Sequence, residues 1–152
     1  MQRAYLDCEF TSLDPYYELI SLALVVPNGP EFYVEIEDGW ILSDCSNFVQ
    51  KIVLPLLDLD KYGRTQSQAA DELQQWLSQF DGLEIICDAP QWDWPLLVRL
   101  AGPDGLPKGV VSSSITYAVQ AQMADLVFPH HALQDARLIA DFVESIRNRQ
   151  LG

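Results

Sequence analysis

Asp7, Glu9, Asp93, His130 and Asp135 are the residues of this chain whose types and spacing suit metal-assisted hydrolysis. Asp7 and Glu9 lie two apart in Ala4-Tyr5-Leu6-Asp7-Cys8-Glu9-Phe10, a run that reads as a strand. Period two then puts both carboxylates on one face and Leu6, Cys8 and Phe10 on the other. Stability alone would more often place Thr or Val there, because adjacent like charges repel. A lone D-x-E pair is most simply a solvated strand end. It gains meaning if a later Asp93 and the segment His130 to Asp135 are folded against it. Four carboxylates then suit hard divalent cations such as magnesium or manganese, which prefer oxygen ligands. A two-metal phosphoryl hydrolysis needs such a set, with ions about 4 Å apart. A histidine that titrates near neutral pH can take the proton of the attacking water. His130 precedes Asp135 by five residues, so it stands at or before the start of a helix on which Asp135 sits one turn later.

The elements that must position these groups can be read in order. Ala4 to Phe10 is the first strand, and Thr11-Ser12-Leu13-Asp14-Pro15 has turn chemistry. Glu18 to Val26 reads as a largely buried strand closed by Pro27-Asn28-Gly29-Pro30, and Glu31 to Ile36 as a third. Short connections between them predict an antiparallel meander. Between Ser43 and Leu57, Phe48, Val49, Ile52 and Val53 have helical spacing, with Pro55 ending the helix. Thr65-Gln66-Ser67-Gln68 matches a capping box, and Ala69, Leu73, Trp76, Leu77 and Phe80 recur on one helical face. Leu83 to Cys87 is a short apolar strand, Trp94 to Ala101 a helix stopped by Gly102-Pro103, and Val110-Val111 the start of a last strand. Ile115 to Leu126 and His131 to Arg149 are read as helices, the latter with Leu133, Ala136, Ile139, Ala140, Val143 and Ile146 on its apolar face. Three strands followed by alternating helices and strands predict a mixed α/β sheet.

With 152 residues, the chain is expected to be one domain burying about two-thirds of its unfolded surface. No apolar run reaches the length of a membrane span and the start lacks signal-peptide character, so a cytoplasmic protein without membrane partners is expected. Cys8, Cys45 and Cys87 are odd in number and lack C-x-x-C spacing, which points to reduced core or strand residues. A net charge of -13 argues against a protein that grips long duplex DNA through many phosphate contacts. It is compatible with a small or single-stranded substrate held by metal, stacking and a few cations. Arg99, Lys108 and Arg137 are candidates for meeting phosphates.

Taken together, the motifs resemble the DEDDh, or DnaQ-like, 3'-5' exonuclease superfamily. Asp7-Cys8-Glu9-Phe10-Thr11-Ser12-Leu13-Asp14-Pro15 is similar to the first motif, especially the D-x-E-x-T-G-L-D-P form of oligoribonuclease. Trp92-Asp93 with Leu96-Leu97 resembles the second motif, and His130-x4-Asp135 followed by Ala136 the third. The D-x-E-F start followed by Glu18-Leu19-Ile20-Ser21 is closest to a short bacterial exoribonuclease branch first described from mycobacteria. RNase T is also in the superfamily. The resemblance implies an RNase H-like α/β fold with a mixed five-stranded sheet and helices on both faces. It implies a metal-dependent 3'-5' exonuclease acting on RNA or short single-stranded oligonucleotides and releasing nucleoside 5'-monophosphates. Asp7, Glu9, Asp93 and Asp135 would hold two divalent cations, Mg2+ or Mn2+, and His130 would be the general base. Phe10, Thr11, Leu13, Asp88 and Trp92 are candidate substrate contacts, and His131 a neighbour of the base. The partner expected is a single-stranded 3' end, RNA before DNA, and the dimers common among related exonucleases point to a homodimer. Two alternatives stand beside this reading: a DNA 3'-end trimming or proofreading exonuclease, and a catalytically silent acidic interaction module. Two departures are visible. Ser12 stands at the common glycine of the first motif, and the second motif usually carries His-Asn upstream of its aspartate, where this chain has Asp88-Ala89-Pro90-Gln91-Trp92-Asp93.

Overall fold

The computed structural model describes residues 1–151. Its sheet has six strands: β1 (Gln2–Phe10), β2 (Leu19–Val25), β3 (Glu31–Ile36), β4 (Gly63–Arg64), β5 (Leu83–Cys87) and β6 (Val110–Ser114), in the spatial order β4-β3-β2-β1-β5-β6. β1 pairs antiparallel with β2, and β2 with β3, as the short connections require; β5 runs parallel to β1, and β6 to β5. The expected architecture is met, with one strand more than the five predicted. The extra strand is the two-residue β4, which lies parallel beside Glu35 and Ile36. It is too short to leave a periodic signal, and it depends on Gly63, where a Cβ would lie 2.4 Å from the Leu59 carbonyl oxygen.

The helices are α1 (Leu59–Tyr62), α2 (Gln66–Leu77), α3 (Pro90–Ala101), α4 (Tyr117–Gln122) and α5 (Ala132–Leu151). Alternation along β1 sorts the core into two layers. Ala4, Leu6 and Cys8 meet Leu73 and Leu77 of α2 and Leu96 and Leu97 of α3, while Tyr5 shares the opposite layer with Ile139, Ala140 and Val143 of α5. Each fully buried aliphatic side chain contributes about 1.5–3 kcal/mol. A smaller cluster of Ile20, Cys45, Val49 and Val53 closes one end. The three cysteines are free and buried. No helix of the described residues is long and apolar enough to cross a membrane.

Strand and helix ends shift by one or two residues, and three segments differ more from the sequence reading. α3 begins at Pro90 rather than Trp94, because proline at the first helical position gives up an amide that would be unpaired there in any case. Between Ser43 and Leu57 there is no long regular helix but a 3-10 turn (Leu42–Asp44), a π turn (Val49–Val53) and a second 3-10 turn (Leu54–Leu56) that contains Pro55. Ile115 is buried but stays outside α4, where Thr116 caps the helix through the Val119 amide. The Thr65 capping box is formed as predicted, with Thr65 Oγ1 accepting from the Gln68 amide and Gln68 Oε1 from the Thr65 amide.

α5 is held to the sheet along its length. Tyr5 Oη donates to Glu144 Oε2 at 2.6 Å, Arg3 pairs with the same carboxylate, and Arg137 of α5 pairs with Glu31 of β3 at 2.7 Å. These ties fix where the first turn of α5 meets the ends of β1 and β3.

Candidate active site

β1 is a central strand; its ladder with β5 ends at Tyr5, so Asp7 and Glu9 are paired with β2 alone and their other flank is open to groups arriving after β5. Asp7 and Glu9 share the face covered by α5, as the period-two reading requires. The ladder with β2 shifts register between Glu9 and Phe10, where Glu9 faces Ser21 but Phe10 faces Leu19. Such a bulge re-aims the following side chain. Phe10 thereby stacks on Trp92, with ring centroids 5.7 Å apart, and Tyr17 packs edge-on against both while its hydroxyl donates to the Trp92 carbonyl.

The first turn of α3 carries Asp93, whose amide donates to the Ala89 carbonyl. Asp135 lies on the first turn of α5 and is likewise buried. His130 precedes that helix with a φ of 63°, a left-handed conformation that histidine adopts more readily than most residues. Its ring stands edge-on to Phe48 at 5.0 Å. Two clusters result. Glu9, His130 and Asp135 place ligand atoms within 4.8 Å of one another, and so do Asp7, Asp88 and Asp93. The five residues predicted to do the chemistry are therefore distributed over two adjoining groups, with Asp88 added to the second.

The electrostatics of these groups are unfavourable without a cation. Two unit charges 4.8 Å apart repel by about 3.5 kcal/mol at an effective dielectric near 20. Burial first, and then the charges of Asp93, Glu9, Asp135 and Asp88, hold Asp7 well above the ordinary carboxylate range. Burial and the Asp135 charge push Glu9 up to about 8, burial and the Asp88 charge push Asp93 up to about 8, and burial pushes Asp135 up to about 6 despite the opposing pull of His130. Among the described residues, the buried side-chain oxygens without a hydrogen-bond partner are Asp7 Oδ2, Asp93 Oδ2, Asp135 Oδ1 and the Oγ of Ser21, the residue facing Glu9. Natively buried polar atoms are nearly always paired. Three orphaned carboxylate oxygens in one place match the needs of divalent cations, which would supply both a partner and compensating charge.

A pH dependence follows. These carboxyls titrate near 4 when unfolded and at about 6 to 8 when folded, so the metal-free native state binds more protons across that interval. Their contribution to stability is full below pH 4 and is lost as pH rises through 6 to 8. In chelator, the melting temperature is expected to fall between about pH 5 and 8, and less steeply in Asp93→Asn. Scanning calorimetry checks this; parallel pH profiles for the two proteins would refute it.

The remaining sequence candidates take varied positions. Thr11 is 1 % exposed and its hydroxyl accepts from the Glu18 amide, while its carbonyl accepts from Ser46, so it ties the loop after β1 to β2 and to the segment before Val49. Phe10 and Trp92 are half-buried within the aromatic cluster. Leu13 is 74 % exposed on the loop, next to an Asp14 that accepts from Ser12 Oγ and the Tyr16 amide. Ser12 is not among the residues with positive φ, so the backbone of this loop does not require glycine there. Arg99 pairs with Glu18 and Arg137 with Glu31.

His131 belongs to a different network. The hydroxyl of Tyr33 donates to Glu35 Oε2, a fully buried carboxylate whose Oε1 accepts from the Asp58 amide. With the Tyr33 proton so used, His131 Nε2 donates to the Tyr33 oxygen at 3.2 Å, leaving Nδ1 to accept from the Gln134 amide. Burial lowers the His131 pKa, in keeping with that neutral tautomer. His131 thus caps α5 and anchors it to β3. Sequence reading missed the Phe48 contact to His130 and the Tyr33–Glu35–His131 network, neither of which leaves a local pattern.

No protein-family model and no curated protein sequence matches the chain. Among solved structures it is similar to the crystal structure of cell-death related nuclease 4 (CRN-4), with a TM-score of 0.61 and 19 % sequence identity over 97 % of this chain. The chain spans 64 % of the length of that nuclease. At this identity the likeness is one of fold: a mixed α/β sheet flanked by helices, as in that structure.

Proposed function

We propose that the chain is a metal-dependent 3'-5' exonuclease that shortens RNA or short single-stranded oligonucleotides and releases nucleoside 5'-monophosphates. The observation that carries this reading is the convergence of Asp7, Glu9, Asp93, Asp135 and His130, from three separate parts of the chain, with three buried carboxylate oxygens left without protein partners. The nuclease-type fold supports it. The direction of cleavage and the choice of RNA before DNA rest on the resemblance of the Asp7 to Pro15 and His130 to Ala136 motifs to those of the DEDDh exonucleases.

In this reading Asp7, Glu9, Asp93 and Asp135 hold two divalent cations, Mg2+ or Mn2+. Such ions, when bound, acidify water and offset the negative charge that develops on the phosphate and the leaving oxygen. Asp7 and Glu9 are positioned by their pairing with Ala23 and Ser21 of β2, and Asp93 and Asp135 because each sits on a helical first turn. His130 accepts the proton of the attacking water. The new bond forms between that water's oxygen and phosphorus, the bond from phosphorus to the 3' oxygen breaks, and the shortened strand keeps a 3' hydroxyl. His130 is suited to this because its half-buried ring lies beside Glu9 and Asp135 on a turn rather than within α5. Exposed Leu13 and Tyr16, on the loop that follows Phe10, offer apolar surface to the terminal base.

The test is incubation of 5'-labelled single-stranded RNA and DNA with the protein in manganese or magnesium. Stepwise shortening from the 3' end with 5'-monophosphate products is expected, faster on RNA. Faster shortening of DNA would move the assignment to a DNA 3'-end exonuclease. Substrates that survive both metals would overturn the enzyme altogether and favour a silent acidic module.

A further inference from the structure

We propose that Asp88 is a fifth carboxylate of the site and directly ligates one of its two cations, completing a three-carboxylate set with Asp7 and Asp93. This deepens the nuclease reading and rests on it. The position follows from strand register. β5 pairs in parallel with β1 through Ala4 with Ile85 and Tyr5 with Ile86, and continuing that register by two residues brings Asp88 level with Asp7. α3 then starts at Pro90 and returns Asp93 to the same spot within one turn. Carboxylate oxygens of Asp7, Asp88 and Asp93 consequently lie within 4.8 Å of one another. Ligand atoms on one ion about 2.1 Å away can be at most about 4.2 Å apart, so closing the set requires only a small side-chain adjustment.

The cluster alone would not establish a ligand. A separate observation does: Asp93 is 2 % exposed, and its Oδ2 is buried with no hydrogen-bond partner. Asp7 Oδ2 is in the same condition. An acidic residue just before α3 is favoured by the helix dipole, and that would account for Asp88 by itself. It does not account for two buried, unpartnered carboxylate oxygens, one each from Asp7 and Asp93, beside it. The backbone at Asp88 is also tied down, since Gln120 Nε2 donates to its carbonyl at 3.0 Å and the Ile115 amide to the Cys87 carbonyl. The neighbouring group holds two carboxylates, Glu9 and Asp135, beside His130. Without Asp88, the Asp7 set would have only two carboxylates of its own.

Calorimetric titration of chelator-stripped protein with Mn2+, paired with electron paramagnetic resonance of the free ion, tests the assignment. The wild type is expected to take up two ions per chain. Asp88→Asn and Asp88→Ser are both expected to keep one and to bind the other at least tenfold more weakly, while melting in chelator at or above the wild-type temperature because a repelling charge is gone. Two ions bound by both variants within threefold of wild-type affinity would overturn the Asp88 assignment and leave the nuclease reading intact. A wild type that takes up no manganese and leaves RNA whole would overturn both.

Discussion

Asp7→Asn is expected to slow RNA shortening roughly 10³-fold or more, the equivalent of about 4 kcal/mol of lost transition-state stabilisation. In chelator near pH 8, the same substitution is expected to raise the melting temperature by about 3–6 °C, as for a gain of about 1.5 kcal/mol in a chain of this size. The two effects have one cause. Asp7 belongs directly to one acidic set, and its pKa is raised first by burial and then by charges from both sets. Its replacement by a neutral side chain of the same shape relieves that repulsion and removes a ligand. Neither change alters the core beneath, because Leu6 and Cys8 point to the opposite face. Manganese should then stabilise the variant less than the wild type, since a cation stabilises the fold in proportion to its preference for the native site. Melting curves with and without manganese, run beside a digestion assay, measure all three. A variant that is unchanged in melting temperature and still active would remove Asp7 from the centre of the site.

How much of this was legible in the sequence depends on the range of the interaction involved. The shared face of Asp7 and Glu9, the Thr65 capping box and the apolar stripe of α5 are consequences of period two and period 3.6, and each is formed as read. The convergence of Asp7, Asp93 and Asp135 was anticipated through motif order rather than through any local physics. Asp88 shows the difference. Its place beside Asp7 is set by the register of β5 against β1, which no feature of Cys87-Asp88-Ala89 encodes on its own. The start of α3 at Pro90 was open to reading, since proline commonly opens a helix; the emphasis on Trp94 and the leucines after it hid that signal. The turns between Val49 and Leu56 have helical spacing but meet Pro55, and their burial of Val49 and Val53 against Ile20 decides their shape. Phe48 reaches His130 across that closure, far outside any window of periodicity.

Two adjacent histidines offer the sharpest separation of chemistry from architecture. His130→Asn is expected to lower the rate of RNA shortening by about 10²–10⁴-fold, the usual contribution of a positioned general base. Asparagine is the replacement of choice because it tolerates the left-handed backbone at this position, with φ at 63°. The stabilisation conferred by manganese should change little, because the carboxylates that hold the ions are untouched. His131→Ala should behave in the opposite way. It removes the acceptor for the Gln134 amide and the donor to Tyr33, so it is expected to cost about 1–2 kcal/mol of stability. Assayed well below its melting temperature, it should retain activity within about fivefold of the wild type, since a lost cap weakens the helix end without touching the reacting groups. The geometry also allows a competing role for His130, whose ring nitrogen lies with Glu9 and Asp135 at ligand distance. A His130 that ligates an ion would weaken manganese binding when replaced, together with the rate. Loss of rate with the manganese shift retained identifies the base; loss of both identifies a ligand; and a silent His130→Asn beside an inactive His131→Ala transfers the chemistry to the neighbouring ring.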